Sequence, residues 1–331
     1  MRHSFAYYHA TAKEEAASRL REDSASVPLG GGTDLLVFID EGLARPTALV
    51  DLRDVAGLRD IVSVADGGLR IGAAARIDDV AREPRVRSRY PALAQACAAV
   101  GTPALRQMGT VGGNLCQRPR CWYFRRAIPC LKNGGNDCPA VEGENQYHAI
   151  LEGGPCHAVH PSDPAVALVA LGAVIEITGA QARASAPVTR TCASEEFFAL
   201  PTERLDRETN LATGEFVSAV ILPDASAAGE PNMQRYYKEM QRGTWDFALV
   251  SLAAIRRRDG AVRLVLGGVA PRPWRVVASV EEDVASGGLD EDTVATLADR
   301  ALYDARPLSK NAYKIDIAAN LLRRGIRDLT A

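Results

Sequence analysis

Gly30-Gly31-Gly32-Thr33-Asp34-Leu35 and, later in the chain, Thr110-Val111-Gly112-Gly113-Asn114-Leu115 are the two stretches on which the reading of this sequence turns. The first comes after the apolar Val27-Pro28-Leu29 and runs into Leu35-Leu36-Val37, so it reads as strand, glycine loop, helix. Consecutive glycines offer backbone N–H groups with no side chains in the way, which is how a loop cradles an anionic phosphate. Taken alone, Gly30 to Thr33 is a weak signal and reads more readily as a tight turn that needs only the conformational freedom of glycine. The second loop repeats the chemistry with a hydroxyl and an amide flanking two glycines, and the pair is more informative than either loop. Neither fits Gly-x-Gly-x-x-Gly opening a βαβ unit or a phosphate loop ending in Lys, which disfavours a Rossmann site.

Outward from these loops, Thr11-Ala12-Lys13-Glu14 is a capping-box pattern ahead of a helix over about 12–22. Ala48-Leu49-Val50 and Leu69-Arg70-Ile71 read as short strands, and Leu93, Cys97 and Val100 share a helical face that makes Cys97 a core residue. Pro164 to Leu171 predicts a helix with Ser162 or Asp163 as N-cap, Pro164 at the first helical position and Gly172 as its stop. Val174 to Thr178 is a strand. The run from Pro223 to Pro231 has linker composition and predicts the domain boundary. Beyond it, Phe247–Ile255 and Val262–Leu266 form an antiparallel pair turning at Gly260, with helices over 289–302 and 312–329 after them.

With 331 residues the chain has room for about two domains, and its 47% hydrophobic and 24% charged residues suit a globular protein. A net charge of −2 gives no basic field to attract nucleic acid. The N-terminus lacks an apolar export signal and no stretch is long enough to span a membrane, so a cytoplasmic location is expected, with export alongside a partner subunit as the alternative.

Five of the seven cysteines, Cys116, Cys121, Cys130, Cys138 and Cys156, cluster in one short stretch, which favours metal ligation over a disulfide framework. No pair forms Cys-x-x-Cys, which argues mildly against zinc, but the spacing also misses the compact ferredoxin run. Spacing alone leaves the metal open. His148, His157 and His160 are further ligand candidates. Cys121 comes after Asn114, and Cys156 before Asp163, by so few residues that even extended chain keeps both within roughly 25 Å of those positions.

Gly30–Leu35, Thr110–Leu115, His160-Pro161-Ser162-Asp163-Pro164, Phe247–Ala254 and Leu266-Gly267-Gly268-Val269-Ala270 arrive in the order found in the FAD subunits of molybdenum hydroxylases, which this sequence resembles over nearly its whole length. The resemblance implies an α+β fold. A two-lobed FAD domain of the vanillyl-alcohol-oxidase type would occupy 1–222 (lobes about 1–55 and 56–222), and a smaller C-terminal domain 231–331. It implies that Leu29, Gly30, Gly31, Gly32, Thr33, Asp34, Thr110, Gly112, Gly113 and Asn114 hold the pyrophosphate and neighbouring groups of FAD. Asp163 would contact the cofactor as well as suit a helix start, and Lys238 would lie near the isoalloxazine. Gly30 stands where Ala is commoner, a loss of one methyl.

The cysteine stretch resembles the loop inserted at 115–160 in the flavin subunits of aromatic-aldehyde oxidoreductases and 4-hydroxybenzoyl-CoA reductases. By that resemblance Cys121, Cys130, Cys138 and Cys156 ligate a [4Fe-4S] cluster, while Cys116 is a small buried hydrophobe. Arg118, Arg120, Arg125, Arg126 and Lys132 would offset the cluster's negative charge. The function implied is electron transfer within a heterotrimer. Partner subunits would carry the molybdenum cofactor and [2Fe-2S] clusters, FAD would pass electrons to an external acceptor, and no catalytic acid, base or nucleophile is named in this chain. An aldehyde is the leading substrate. A self-contained flavin oxidase of the same fold and a zinc-stabilised interaction subunit are the alternatives.

Overall fold

The computed structural model describes residues 4–180, 187–224 and 233–330. Among the described residues it is an α+β chain with three sheets. Ala6–His9, Ala48–Asp51 and Val27–Leu29 form a small parallel sheet with Ala48–Asp51 in the centre. Its buried residues pack on the helix Lys13–Glu22 through Ala16, Ala17 and Leu20. The expected capping box is displaced by one residue. Ala12 is the N-cap and has no polar side chain to offer, and Glu15, at the third helical position, accepts from the Thr11 backbone N–H at 3.0 Å.

The second sheet is antiparallel, in the order Ile61–Ser63, Leu69–Gly72, Phe216–Leu222, Val174–Gly179, Val188–Ala193. Glu176, in its interior, ties the first two sheets together. Its carboxylate accepts from Arg70 (2.8 Å) and Ser218 (2.7 Å) and pairs with Lys13 of the first helix at 3.3 Å. These bonds hold the Glu176 carboxyl down at about 2 against the cost of burial, which acts the other way.

The third sheet runs Trp274–Arg275, Val262–Gly267, Ala248–Arg256, Gln234–Met240 and is antiparallel throughout. The expected hairpin turn at Gly260 is present, with φ of +87°. Helices Glu291–Ala301 and Tyr313–Thr330 form as the periodicity predicts, the latter packing on this sheet and the former on the latter, and Ala278–Ser286 adds a helix that the sequence reading missed. The linker run from 225 to 231 lies outside the described residues.

Asp163–Leu171 joins the halves. All nine of its residues are buried, so it is apolar all round rather than amphipathic. It packs on the helix Pro91–Ala98 on one side and on the third sheet on the other. Cys97, on the former helix, is fully buried as expected. Gly172 stops the buried helix in the left-handed conformation, with φ of +68°. Its first residue, Asp163, bonds to Tyr236 and Lys238 of the third sheet.

Candidate functional site

The two glycine loops lie against each other. A Cβ on Gly31 would sit 1.8 Å from the Met108 carbonyl oxygen, and one on Gly30 would sit 2.5 Å from Thr110 Oγ1. At Gly31, where the neighbour is a backbone atom, only glycine allows this approach. The N–H groups from Gly30 through Asp34 have no acceptor among the described residues, so the first loop presents a run of free donors. In the second loop Thr110 caps the short helix Val111–Leu115, its hydroxyl accepting from Gly113 N at 3.2 Å. Gly112 N donates to Ala73 O at 2.8 Å, Val111 N to Ala75 O and Asn114 N to Thr110 O. The expectation that both loops supply donors is thus corrected: the second loop's N–H groups are used internally, and its glycines serve close packing. Gly30, Thr110, Gly112, Gly113 and Cys116 line a cavity of ≈ 110 Å³ between the loops. Leu29, buried at the end of its strand, fixes where the first loop begins.

Asp34 turns its carboxylate away from that cavity. It accepts from Arg120 and Arg125 at 2.7 Å each and from Arg118 N at 2.8 Å, which moors the cysteine-rich segment to the first loop. Thr33, beside it, has an exposed side chain, and the N–H groups of both are among the loop's free donors.

Beyond the second loop, Ser162 is the N-cap of the buried helix, accepting from Ala165 N at 3.1 Å and donating to Asn114 Oδ1 at 2.5 Å. Asp163 occupies the first helical position and lines a cleft of ≈ 370 Å³ whose walls include Arg120, Trp122, Tyr147, His160 and Phe247. Its carboxylate accepts from Tyr236 Oη at 2.6 Å and Lys238 Nζ at 2.9 Å. Burial pushes the Asp163 carboxyl up, against the pull of Lys238. Lys238 also donates to Ala99 O at 2.9 Å and stands behind Asp163, off the cleft surface. It orients the carboxylate and does not face the cleft itself.

Cys121, Cys130, Cys138 and Cys156 all line one small cavity of ≈ 10 Å³ together with Lys132. All four are free thiols. Cys116 is absent from this cavity; it packs against the main core, and burial pushes its thiol up to about 12. Among the described residues no three Cys, His, Asp or Glu are disposed to hold a single metal ion. Four of the five basic residues of this stretch are paired with carboxylates, Lys132 while also lining the cysteine cavity. Arg120 and Arg125 pair with Asp34, while Arg118 and Lys132 pair with the buried Glu208 at 2.7 Å each. Of the histidines, His160 is enclosed by Leu115 O and Ser162 N, and burial lowers it to about 4; His148 Nε2 lies 3.2 Å from Cys121 Sγ.

The sequence reading also missed Lys314. On a long helix it reads as a solvated lysine, yet it is fully buried and donates to the carbonyls of Tyr147 (3.0 Å), His148 (3.0 Å) and Gly268 (2.8 Å), all beside the cleft. Burial lowers it to about 7. No local pattern marks a lysine whose acceptors are carbonyls far away in sequence.

Comparison with known proteins matches residues 3–225 to the FAD binding domain in molybdopterin dehydrogenase and residues 235–329 to the CO dehydrogenase flavoprotein C-terminal domain. The chain is 35% identical to the aldehyde oxidoreductase FAD-binding subunit PaoB of Escherichia coli, over 96% of each chain. It is 24% identical to the carbon monoxide dehydrogenase medium chain of Hydrogenophaga pseudoflava, over 97% and 96%. Among solved structures, quinoline 2-oxidoreductase from Pseudomonas putida shares the fold with a TM-score of 0.74 at 22% identity, covering 99% of this chain and 97% of that one. The glycine loops, the buried helix start and the family match together show that this chain belongs to the FAD-binding medium subunits of the molybdenum hydroxylases, and is a flavoprotein subunit of an oxidoreductase.

Proposed function

We propose that this chain is the electron-transferring subunit of a heterotrimeric, aldehyde-oxidising molybdenum hydroxylase, and that it carries a [4Fe-4S] cluster beside its FAD. The observation that carries the reading is the convergence of four free thiols on one cavity, one of which, Cys121, also lines the ≈ 370 Å³ cleft. A four-iron cluster takes one thiolate per iron, which suits four thiols lining one cavity.

For FAD, the free N–H groups of Gly30 through Asp34 suit the pyrophosphate, with Leu29 ending the strand that aims them. Thr110, Gly112, Gly113 and Asn114 shape the opposite wall, and Asp163, oriented by Lys238, reaches the cleft in which the isoalloxazine would lie. Bound FAD supplies a centre that takes up electrons singly and releases them to an external acceptor. The chain's own part is to hold, orient and shield. The division at about 222 and 231, with the iron–sulfur loop at 115–160, belongs to the same reading. So do partner subunits carrying the molybdenum cofactor and [2Fe-2S] clusters, and a cytoplasmic location unless a partner is exported. The 35% identity to an aldehyde oxidoreductase subunit supports an aldehyde as substrate.

The test is rapid-mixing spectroscopy of the native complex and of this chain alone with an aromatic aldehyde. Flavin bleaching only in the complex is expected. Bleaching in the isolated chain would favour a self-contained oxidase, and a colourless chain with bound zinc would favour the interaction-subunit alternative.

A further inference from the structure

The four-cysteine cavity and the cleft share two lining residues, Cys121 and Ala158, so Cys121 is the thiol of the set that faces both. His148 stands beside it with Nε2 3.2 Å from Sγ, and is 3% exposed. Its backbone is clamped on both sides. His148 N donates to Asn145 O at 3.0 Å, while its carbonyl accepts from Lys314 Nζ at 3.0 Å and Asn311 Nδ2 at 3.1 Å. The ring also packs against Trp122 and Tyr123, with centroids 5.9 and 6.2 Å away in edge and tilted contacts. Among the described residues Nδ1 has no partner. Placing the ring proton on Nε2 leaves only an unfilled acceptor, whereas placing it on Nδ1 would bury an unsatisfied donor.

We propose that His148 donates its Nε2–H to the Cys121 sulfur and thereby sets the reduction potential of the cluster at the ligand that faces the flavin cleft. This rests on the four-iron reading above. The reduced cluster carries one more negative charge than the oxidised one, so a donor to a ligand sulfur stabilises the reduced form more and raises the potential. His148 is therefore a positioning residue that acts through Cys121.

The experiment is an EPR-monitored redox titration of the FAD-loaded chain as wild type, His148→Phe and His148→Gln, with iron and flavin measured in each. His148→Phe keeps a ring between Trp122 and Tyr123 but removes the donor. It should retain iron and FAD while its midpoint falls by an amount equal to about a tenfold change in the reduced-to-oxidised ratio, about 59 mV for one electron. His148→Gln, which keeps an N–H, should recover most of that fall. An unchanged midpoint in iron-replete His148→Phe overturns the proposal, and loss of iron from both variants overturns it in favour of His148 as a ligand. If His148→Phe does not fold, pulsed EPR of wild-type protein labelled with ¹⁵N-histidine decides. A weakly coupled histidine nitrogen supports the donor, and either none or a strongly coupled one overturns it. Absence of any cluster signal from iron-reconstituted wild type would instead overturn the four-iron reading itself.

Discussion

In the first glycine loop the N–H groups from Gly30 to Asp34 find no acceptor among the described residues, whereas in the second those of Val111, Gly112, Gly113 and Asn114 all bond within the chain. The two stretches look alike as sequence, each a glycine run with a threonine and a polar amide or carboxylate beside it. Their difference lies in the role of the threonine. Thr110 is an N-cap and pulls its glycines into a helical turn, while Thr33 caps nothing and leaves its glycines as an open nest. A glycine in the second loop answers to neighbours such as Ala73; Gly31 in the first answers to the backbone of Met108 behind it.

Gly31→Ala should sharpen that contrast most. A Cβ at 1.8 Å from a backbone oxygen cannot be relieved by a rotamer change, so the loops must separate. The loss in stability should reach or exceed the roughly 3 kcal/mol upper end of overpacking costs, with loss of FAD. Thermal melting and flavin absorbance after desalting would read both.

Glu176 sets the frame in which the loops meet, since it clamps the lobe bearing the first loop to the sheet flanking the second. Its folded value of about 2 lies below the ordinary 4.5. Its contribution is therefore complete above about pH 4.5 and is lost as pH falls towards 2, and amounts to at most about 3 kcal/mol. Chemical denaturation of wild type and Glu176→Gln across that window should show the two curves converging at the acid end. A constant gap would deny the clamp.

Gly113→Val separates folding from ligand retention. A Cβ there meets only Thr110 Oγ1, at 3.0 Å, so at most the cap is weakened, by about 1 kcal/mol. The side facing the inter-loop cavity is otherwise open, and a branched side chain there should prevent FAD from seating. Full flavin occupancy in a folded Gly113→Val protein would show that the second loop does not touch the cofactor. The smallest effect is expected from Cys116→Ala, because Cys116 packs on the core and lies off the four-cysteine cavity. Iron content and the reduced-state EPR signal should both persist, with a stability change of under about 1 kcal/mol.

Local periodicity made most of the fold legible. The strand–loop–helix at 27–40, the buried helix ending at Gly172 and the hairpin about Gly260 all arise from patterns confined to a dozen neighbours. What was not legible depends on partners distant in sequence. Asp34 reads as a loop residue facing a ligand, yet three donors from the cysteine segment claim its carboxylate. That Lys238 bonds to Asp163 and Ala99 O had no mark in the sequence. Lys314 and Glu208 carry no local mark of burial. The helix Ala278–Ser286 escaped because it is short and includes Glu281, whose burial is offset by Arg275 and Leu264 N.

The metal content of the four-cysteine cavity decides between a cluster-bearing subunit and its rivals. Iron, zinc and flavin should be quantified per chain in anaerobically purified wild type and in Cys138→Ala. One FAD and about four irons are predicted in the wild type, with the iron lost or its EPR signal converted in Cys138→Ala while FAD stays. Wild-type protein with full FAD but zinc or no metal on the cysteines, or a Cys138→Ala variant with an unaltered cluster signal, would contradict the four-iron assignment.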